Sequence, residues 1–254
     1  MDRLLITCEH GGRRVPPRYR TLFAEHGALL ETHRGWDFGA LQLAREMAVA
    51  FGAPLHASST TRLLIDLNRS IGHRQLYSEA TRALSAAERA EIASRYHRPH
   101  RDRVLAEVQR ALAQGRPVVH IASHSFTPVW GGVVRNADIG LLYDPVRPGE
   151  ALFAARWRQA LARRCPGLSV RRNYPYAGRG DGLTALLRSH HPAEAYVGIE
   201  LEVNQRHVLR GGRAWAELRG ALIDTLREAL DEATPRGSVP DRTDAAGAQA
   251  HTAA

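Results

Sequence analysis

Short apolar runs alternate with helical apolar stripes along this chain. Residues 3–8, RLLITC, form a continuous apolar run closed by Gly11-Gly12, which predicts a short buried strand. Residues 39–51, GALQLAREMAVAF, repeat apolar positions at helical spacing and stop at Gly52-Ala53-Pro54. The run RLLIDL at 62–67 predicts a second strand. Residues 85–114 predict a long helical stretch. Ser85 with Glu88 three residues on opens it as a capping box, Pro99 predicts a kink or break, and Gly115 and Pro117 end it. Strands are predicted at 118–122 (VVHIA, running into His124-Ser125), 139–143, 168–172 and 196–203, and helices at 149–164, 182–190 and 212–232. Strands alternating with helices argue for an α/β layer fold with a largely parallel sheet. From Pro235 the chain becomes rich in Pro, Gly, Ala and Thr without periodicity. The expected organisation is one domain over 1–233 and a disordered tail over 234–254.

Composition changes this picture only at its margins. At 44% apolar and 24% charged, the chain of 254 residues has material for a sizeable core. No run approaches the roughly 20 apolar residues of a membrane span, and MDRLLITCEH has no signal-peptide core, so a cytoplasmic protein without membrane partners is expected. Two cysteines, Cys8 and Cys165, argue against a disulfide framework. All 35 basic residues are arginine, which excludes lysine Schiff-base chemistry and a P-loop lysine. The net charge of +9 admits a non-catalytic nucleic-acid-binding protein, but the arginines are dispersed and no nucleic-acid motif is present, so no nucleic-acid partner is expected.

The informative polar residues stand at the ends of apolar runs, where open α/β sheets bind ligands. Cys8-Glu9-His10-Gly11-Gly12 follows the first strand, and His10 there is either a turn residue or a ligand. His124 ends VVHIA and is either a buried, backbone-bonded histidine or a ligand. In 196–203, alternation puts Glu200, Glu202 and Asn204 on one face and Ile199, Leu201 and Val203 on the other. Carboxylates on a strand covered on both faces need partners. Asp37, before a helix, is an N-cap or a carboxylate ligand. Two histidines with carboxylates suit a hydrolytic zinc site, and with no HExxH present it must be assembled from separate strand ends. Asn68-Arg69 and Arg62 offer groups for a substrate carboxylate. Tyr96-His97-Arg98-Pro99-His100 carries a histidine pair that holds an intermediate or simply packs, and the glycine-rich stretch 173–182 encloses Arg179. A Ser125 triad is disfavoured because no GxSxG occurs.

Taken together, EHGGRRVPP, WDFGALQLA, RLLIDLNRS, LYSEA, YHRPHRDRV, SHSFTP, ADIGLLYD, NYPYAGRGDGLT and IELEVNQR, in this order over about residues 4–209, resemble the N-formylglutamate amidohydrolase family. The resemblance implies a three-layer α/β/α fold with a mixed, mostly parallel sheet, like that of zinc carboxypeptidases and aspartoacylases. It implies a small-molecule N-acyl amino acid as substrate, with zinc or another divalent metal as cofactor. His10, His124 and Asp37 match the expected metal ligands and Glu202 the expected general base. Arg69 and Arg179 match substrate-carboxylate binders, and Arg135 is a candidate donor to the oxyanion. Glu9 stands where the best-known members carry Pro or a similar residue, and Trp36-Asp37 where they carry His, which leaves a different N-acyl amino acid or a modified peptide as the alternative substrate.

Overall fold

The computed structural model describes residues 3–232. The strands are β1 (Arg3–Cys8), β2 (Leu55–Ala57), β3 (Val118–Phe126), β4 (Val129–Trp130), β5 (Val133–Val134), β6 (Ile139–Leu142), β7 (Val170–Arg172) and β8 (Tyr196–Asn204). The helices are α1 (Gly27–Leu30), α2 (Ala40–Phe51), α3 (Glu79–Arg82), α4 (Ala86–Ile92), α5 (Arg98–Ala113), α6 (Pro148–Arg164), α7 (Leu183–His190), α8 (Gln205–Arg210) and α9 (Gly212–Asp231). Six strands form one sheet in the order β2-β1-β3-β8-β6-β7. All neighbours run parallel except β6 and β8, so the sheet is mixed and mostly parallel.

Alternation along the strands sorts side chains to the two faces. Leu4, Ile6, Val119, Ile121, Ile199, Leu201, Ile139 and Leu141 pack with α2, α6 and α9. Leu5, Val118 and Tyr196 pack with α5 and α7 on the opposite face. The chain leaves β1 through α2 towards β2 and returns through α5 to β3, on the other side of β1. The strand order therefore reverses between β1 and β3, and the carboxyl ends of those strands open a crevice.

Two expectations are corrected. RLLIDL at 62–67 is not a strand but a series of turns, with Leu64 N donating to Thr61 O and Asp66 N to Leu76 O. Its apolar side chains Leu63, Leu64, Ile65 and Leu67 instead build a second core with Tyr19, Phe23, Leu76 and Ile92. A short apolar run announces burial, and both structures bury it equally well. The parallel partner of β1 is the three-residue β2, too short to stand out as a pattern. β3 is longer than predicted and reaches Phe126, so His124 lies within a paired strand opposite Glu202.

The capping box of Ser85 and Glu88 is present at α4. Between α4 and α5 the helix widens into a π-turn over Ala93–His97, immediately before Pro99. This is the break that proline calls for, since its ring and missing N–H cannot continue the preceding ladder. The segment expected to be a disordered tail, 234–254, lies outside the described residues. Among the described residues no helix is long and apolar enough to cross a membrane.

Candidate active site

Three chain segments converge at the crevice. β1 ends at Cys8 and the chain turns through Glu9 and His10, after which Gly11 and Gly12 run against residues 58 and 59. A Cβ on Gly12 would stand 2.7 Å from Ser59 O, so only glycine lets the chain pass there. Asp37 is tied to the same spot because its backbone N donates to His10 O at 2.9 Å. Asp37 does not cap α2. The N-cap is Gly39, at φ 76°, which no side chain bonds, and the Asp37 carboxylate turns into the crevice. β3 contributes His124, and β8 contributes Glu202 beside it.

His10, Asp37 and His124 are 2%, 3% and 3% exposed and present ligand atoms within 4.8 Å of one another. Asp37 Oδ2 lies 2.9 Å from His124 Nδ1 and 3.4 Å from His10 Nδ1. Partners from behind hold His10 and Asp37, while His10 Nδ1, His124 Nε2 and Glu9 Oε2 are buried without a hydrogen-bond partner. His10 Nε2 donates to Asp66 Oδ1 at 2.7 Å, His124 Nε2 stands 3.1 Å from Glu9 Oε2, and Asp37 Oδ1 accepts from Arg62 Nη1 at 3.3 Å. Glu9 in turn faces His100 Nε2 at 3.4 Å. The buried carboxylate of Asp66 behind His10 fixes the tautomer that leaves Nδ1 free to bind a metal, and Asp37 on His124 Nδ1 leaves its Nε2 free.

The charges suit such an ion. Burial opposes ionisation of Glu9, yet His100 and His124 hold its carboxyl well below the usual range. Asp66 is likewise held down against burial by Arg62 and His10, and Asp37 by His10, His124 and Arg62. Three ionised carboxylates, Glu9, Asp37 and Asp66, against the one guanidinium that bonds the last two leave two negative charges in a buried space. Without a cation the imidazoles must supply the compensation. Despite burial, Asp37 and Glu9 raise His124 well above its ordinary value, and Asp66 and Asp37 raise His10. A divalent cation would do the same from the centre, so the donor set fits one.

Glu202 behaves differently. Burial pushes its carboxyl up to about 8, with the Asp37 and Glu200 charges adding to the effect and His124 opposing it. Its Oε2 is buried with no hydrogen-bond partner. Glu200, two residues earlier on the same face, has its Oε1 taken by Thr184 Oγ1 at 2.7 Å. Glu202 is therefore the carboxylate poised to exchange a proton. Opposite it on β6 stands Gly140, where a Cβ would collide with Tyr174 O and come within 3.2 Å of Glu202 Cβ. Glycine there lets the 173–182 segment lie close over the sheet, and Tyr176 lines the crevice.

The other sequence candidates divide. Asn68 and Arg69 line the crevice, with Asn68 Oδ1 accepting from Leu183 N at 2.7 Å and Arg69 Nη1 donating to Asp181 O at 2.9 Å. Arg62 also lines it, but its guanidinium is spent on Asp66 and Asp37. Arg135 stands behind the wall, its Nη1 donating to Tyr176 Oη at 3.2 Å. Arg179 is not brought to the crevice. Its side chain is 65% exposed, with Nε 3.7 Å from Asp144. His97 packs, its Nε2 donating to Arg69 O at 2.7 Å. Sequence reasoning missed Asp66, which was hidden inside an apolar run, and Tyr176, although both lie in segments it had singled out.

The N-formylglutamate amidohydrolase family model matches residues 2–209. No curated protein sequence matches the chain. The crystal structure of gene product Atu2144 from Agrobacterium tumefaciens superposes with a TM-score of 0.79 at 30% identity, covering 91% of each chain. The N-formylglutamate amidohydrolase of Ralstonia eutropha JMP134 superposes at 0.63 with 21% identity, over 91% of this chain and 94% of that one, and shares the fold. With the family match spanning most of the chain, the sheet and its crevice are those of a hydrolase scaffold, and the protein belongs to the N-formylglutamate amidohydrolase family.

Proposed function

We propose that the chain is a metal-dependent amidohydrolase that removes the N-formyl, or another N-acyl, group from a glutamate-like amino acid. The observation that carries this reading is the meeting of ligand atoms of His10, His124 and Asp37 within 4.8 Å of one another, with His10 Nδ1 and His124 Nε2 buried and unpartnered, beside the unpartnered Glu202 Oε2. Two nitrogens and a carboxylate suit zinc, which when bound supplies Lewis acidity to the scissile carbonyl and the attacking water.

Glu202 takes the proton of the attacking water and passes it to the leaving nitrogen. Burial raises this carboxyl to about 8, and a cation held beside it would favour the ionised form that accepts the proton and then gives it up near neutral pH. Tyr176 Oη accepts from Arg135, which leaves its own proton to meet negative charge developing on the carbonyl oxygen. Arg69 and Asn68 each spend one polar atom on the 181–183 segment, and their remaining N–H groups receive the carboxylates of the amino acid. Arg62 positions Asp37 and Asp66 rather than the substrate.

The test is to supply the purified protein with zinc, beside His10→Ala, and measure bound metal and formate released from N-formyl-L-glutamate. The wild type is expected to retain about one zinc per chain, as a three-residue site does, and to release formate. The variant is expected to do neither. A wild type that neither holds metal nor releases formate overturns the reading.

A further inference from the structure

The crevice is larger than the reaction just described requires. Its cavity volume is about 600 Å³. Pockets of roughly 300–1,000 Å³ enclose drug-sized ligands, and N-formylglutamate is far smaller than those. The polar residues Asn68, Arg69, Asp181 and Glu200 line it together with His10, Asp37 and His124. The same lining carries His33, Leu63, Tyr77, Phe126 and Trp130, among polar residues that include Gln75, Ser78 and Arg82.

The aromatic rings give this lining its planar apolar surfaces. His33 and Trp130 meet edge to face with ring centroids 5.7 Å apart, bringing the loop after α1 against the β4–β5 hairpin. Tyr77 has its hydroxyl turned away to donate to Arg89 O at 2.7 Å, so the ring is what remains for a ligand. Arg34 and Glu79, also in the wall, neutralise each other at 2.9 Å. Arg135 lies 5.2 Å from the Trp130 ring centroid and steadies the indole. Trp130 is nevertheless 55% exposed, on a hairpin whose Val129, Val133 and Val134 are exposed as well. A tryptophan left half-open in the wall of a cleft gains most when a planar apolar group covers it.

We infer that the His33–Trp130 wall is a subsite for the acyl group, and that the preferred substrate is an N-acyl amino acid whose acyl group is bulky, planar and apolar. The inference rests on the amidohydrolase reading above and extends it to substrate class. A formyl carbon bears only hydrogen and leaves that wall uncovered. An aromatic acyl group projects from the same carbonyl towards His33 and Trp130, while Arg69 and Asn68 hold the amino-acid end.

The experiment compares N-benzoyl-L-glutamate with N-formyl-L-glutamate on the zinc-supplied protein, in wild type, Trp130→Ala and Trp130→Phe. The expected result is a higher kcat/KM for the benzoyl compound in the wild type. The benzoyl-to-formyl ratio should fall about tenfold in Trp130→Ala and recover in Trp130→Phe, as loss and return of one aromatic contact predict. A ratio that is the same in wild type and Trp130→Ala overturns the subsite. Calorimetric titration with N-benzoyl-L-glutamate separates this from failure of the hydrolase reading. With no cleavage of either compound, tighter binding by wild type than by Trp130→Ala still supports the subsite, and equal binding removes it.

Discussion

His120 and His124 stand on the same strand and the same face, two repeats of the pleat apart, and their surroundings give them opposite chemistry. His120, in the middle of β3, is fully buried between Thr7 Oγ1 at 2.9 Å and Tyr196 Oη at 2.7 Å. Burial lowers its pKa to about 4, so it stays neutral. His124, at the carboxyl end, is equally buried but lies between the carboxylates of Asp37 and Glu9, which hold its proton against burial. The middle of the sheet offers only neutral partners. At the strand ends, loops from other parts of the chain bring in charge. A histidine's type and burial thus say little about its role, and the neighbouring carboxylates decide it.

The comparison breaks most visibly if the two histidines are removed in turn. His124→Ala is expected to lose bound zinc and at least about a thousandfold in kcat/KM, the scale of losing a Lewis acid. His120→Phe should keep its metal, and metal analysis of both variants checks the contrast. Glu202→Gln should keep zinc and lower kcat about 10²–10⁴-fold, as loss of a general base does. Undiminished turnover in that variant would place the base elsewhere. Asp66→Asn reaches His10 only through its far nitrogen, and Glu9→Gln removes the charge beside His124 Nε2. Each is expected to weaken zinc affinity about 10–100-fold, measured by competition with a chelator.

The smallest effect concerns pH and sharpens the contrast in sign. The unfolded chain protonates His120 near 6.5, while the folded protein does so only near 4. Its contribution to stability is complete above 6.5 and is lost as pH falls towards 4, by roughly 3 kcal/mol in all. His124 in the metal-free protein acts the other way. Its raised pKa gives stability that is full below 6.5 and lost as pH rises through the folded value. Denaturant unfolding of the metal-free protein between pH 4 and 7 tests this. The His120→Phe variant should lose less stability than wild type on acidification, and an unchanged slope would show that His120 does not titrate as its burial implies.

Much of this was legible because apolar periodicity reports burial directly. β1, β3, β6 and β8 and the helices α2, α5, α6, α7 and α9 follow stripes and runs that only a core can satisfy. The same signal misled at 62–67, where Leu63, Leu64, Ile65 and Leu67 are buried as expected but in turns. That error hid Asp66, which in a strand would be one polar residue among many and in this turn is the partner of His10 and Arg62. Arg179 was an attractive candidate in a glycine-rich segment, yet the turn points it at Asp144 and gives the crevice to Tyr176.

What the sequence determined by itself was the layered α/β class, the alternation that sets Glu202 facing away from the core of α2, α6 and α9, and the placement of His10 and His124 at strand ends. Those follow from local periodicity, which each segment carries without reference to the others. Only the tertiary structure decided that β1 and β3 are neighbours with β8 alongside, and hence that His10, Asp37, His124 and Glu202 share one space. It also decided which arginine lines the crevice with its guanidinium partly free and which holds carboxylates. Strand order and loop path are non-local, and the direction of a long side chain is set by the charges that happen to surround it.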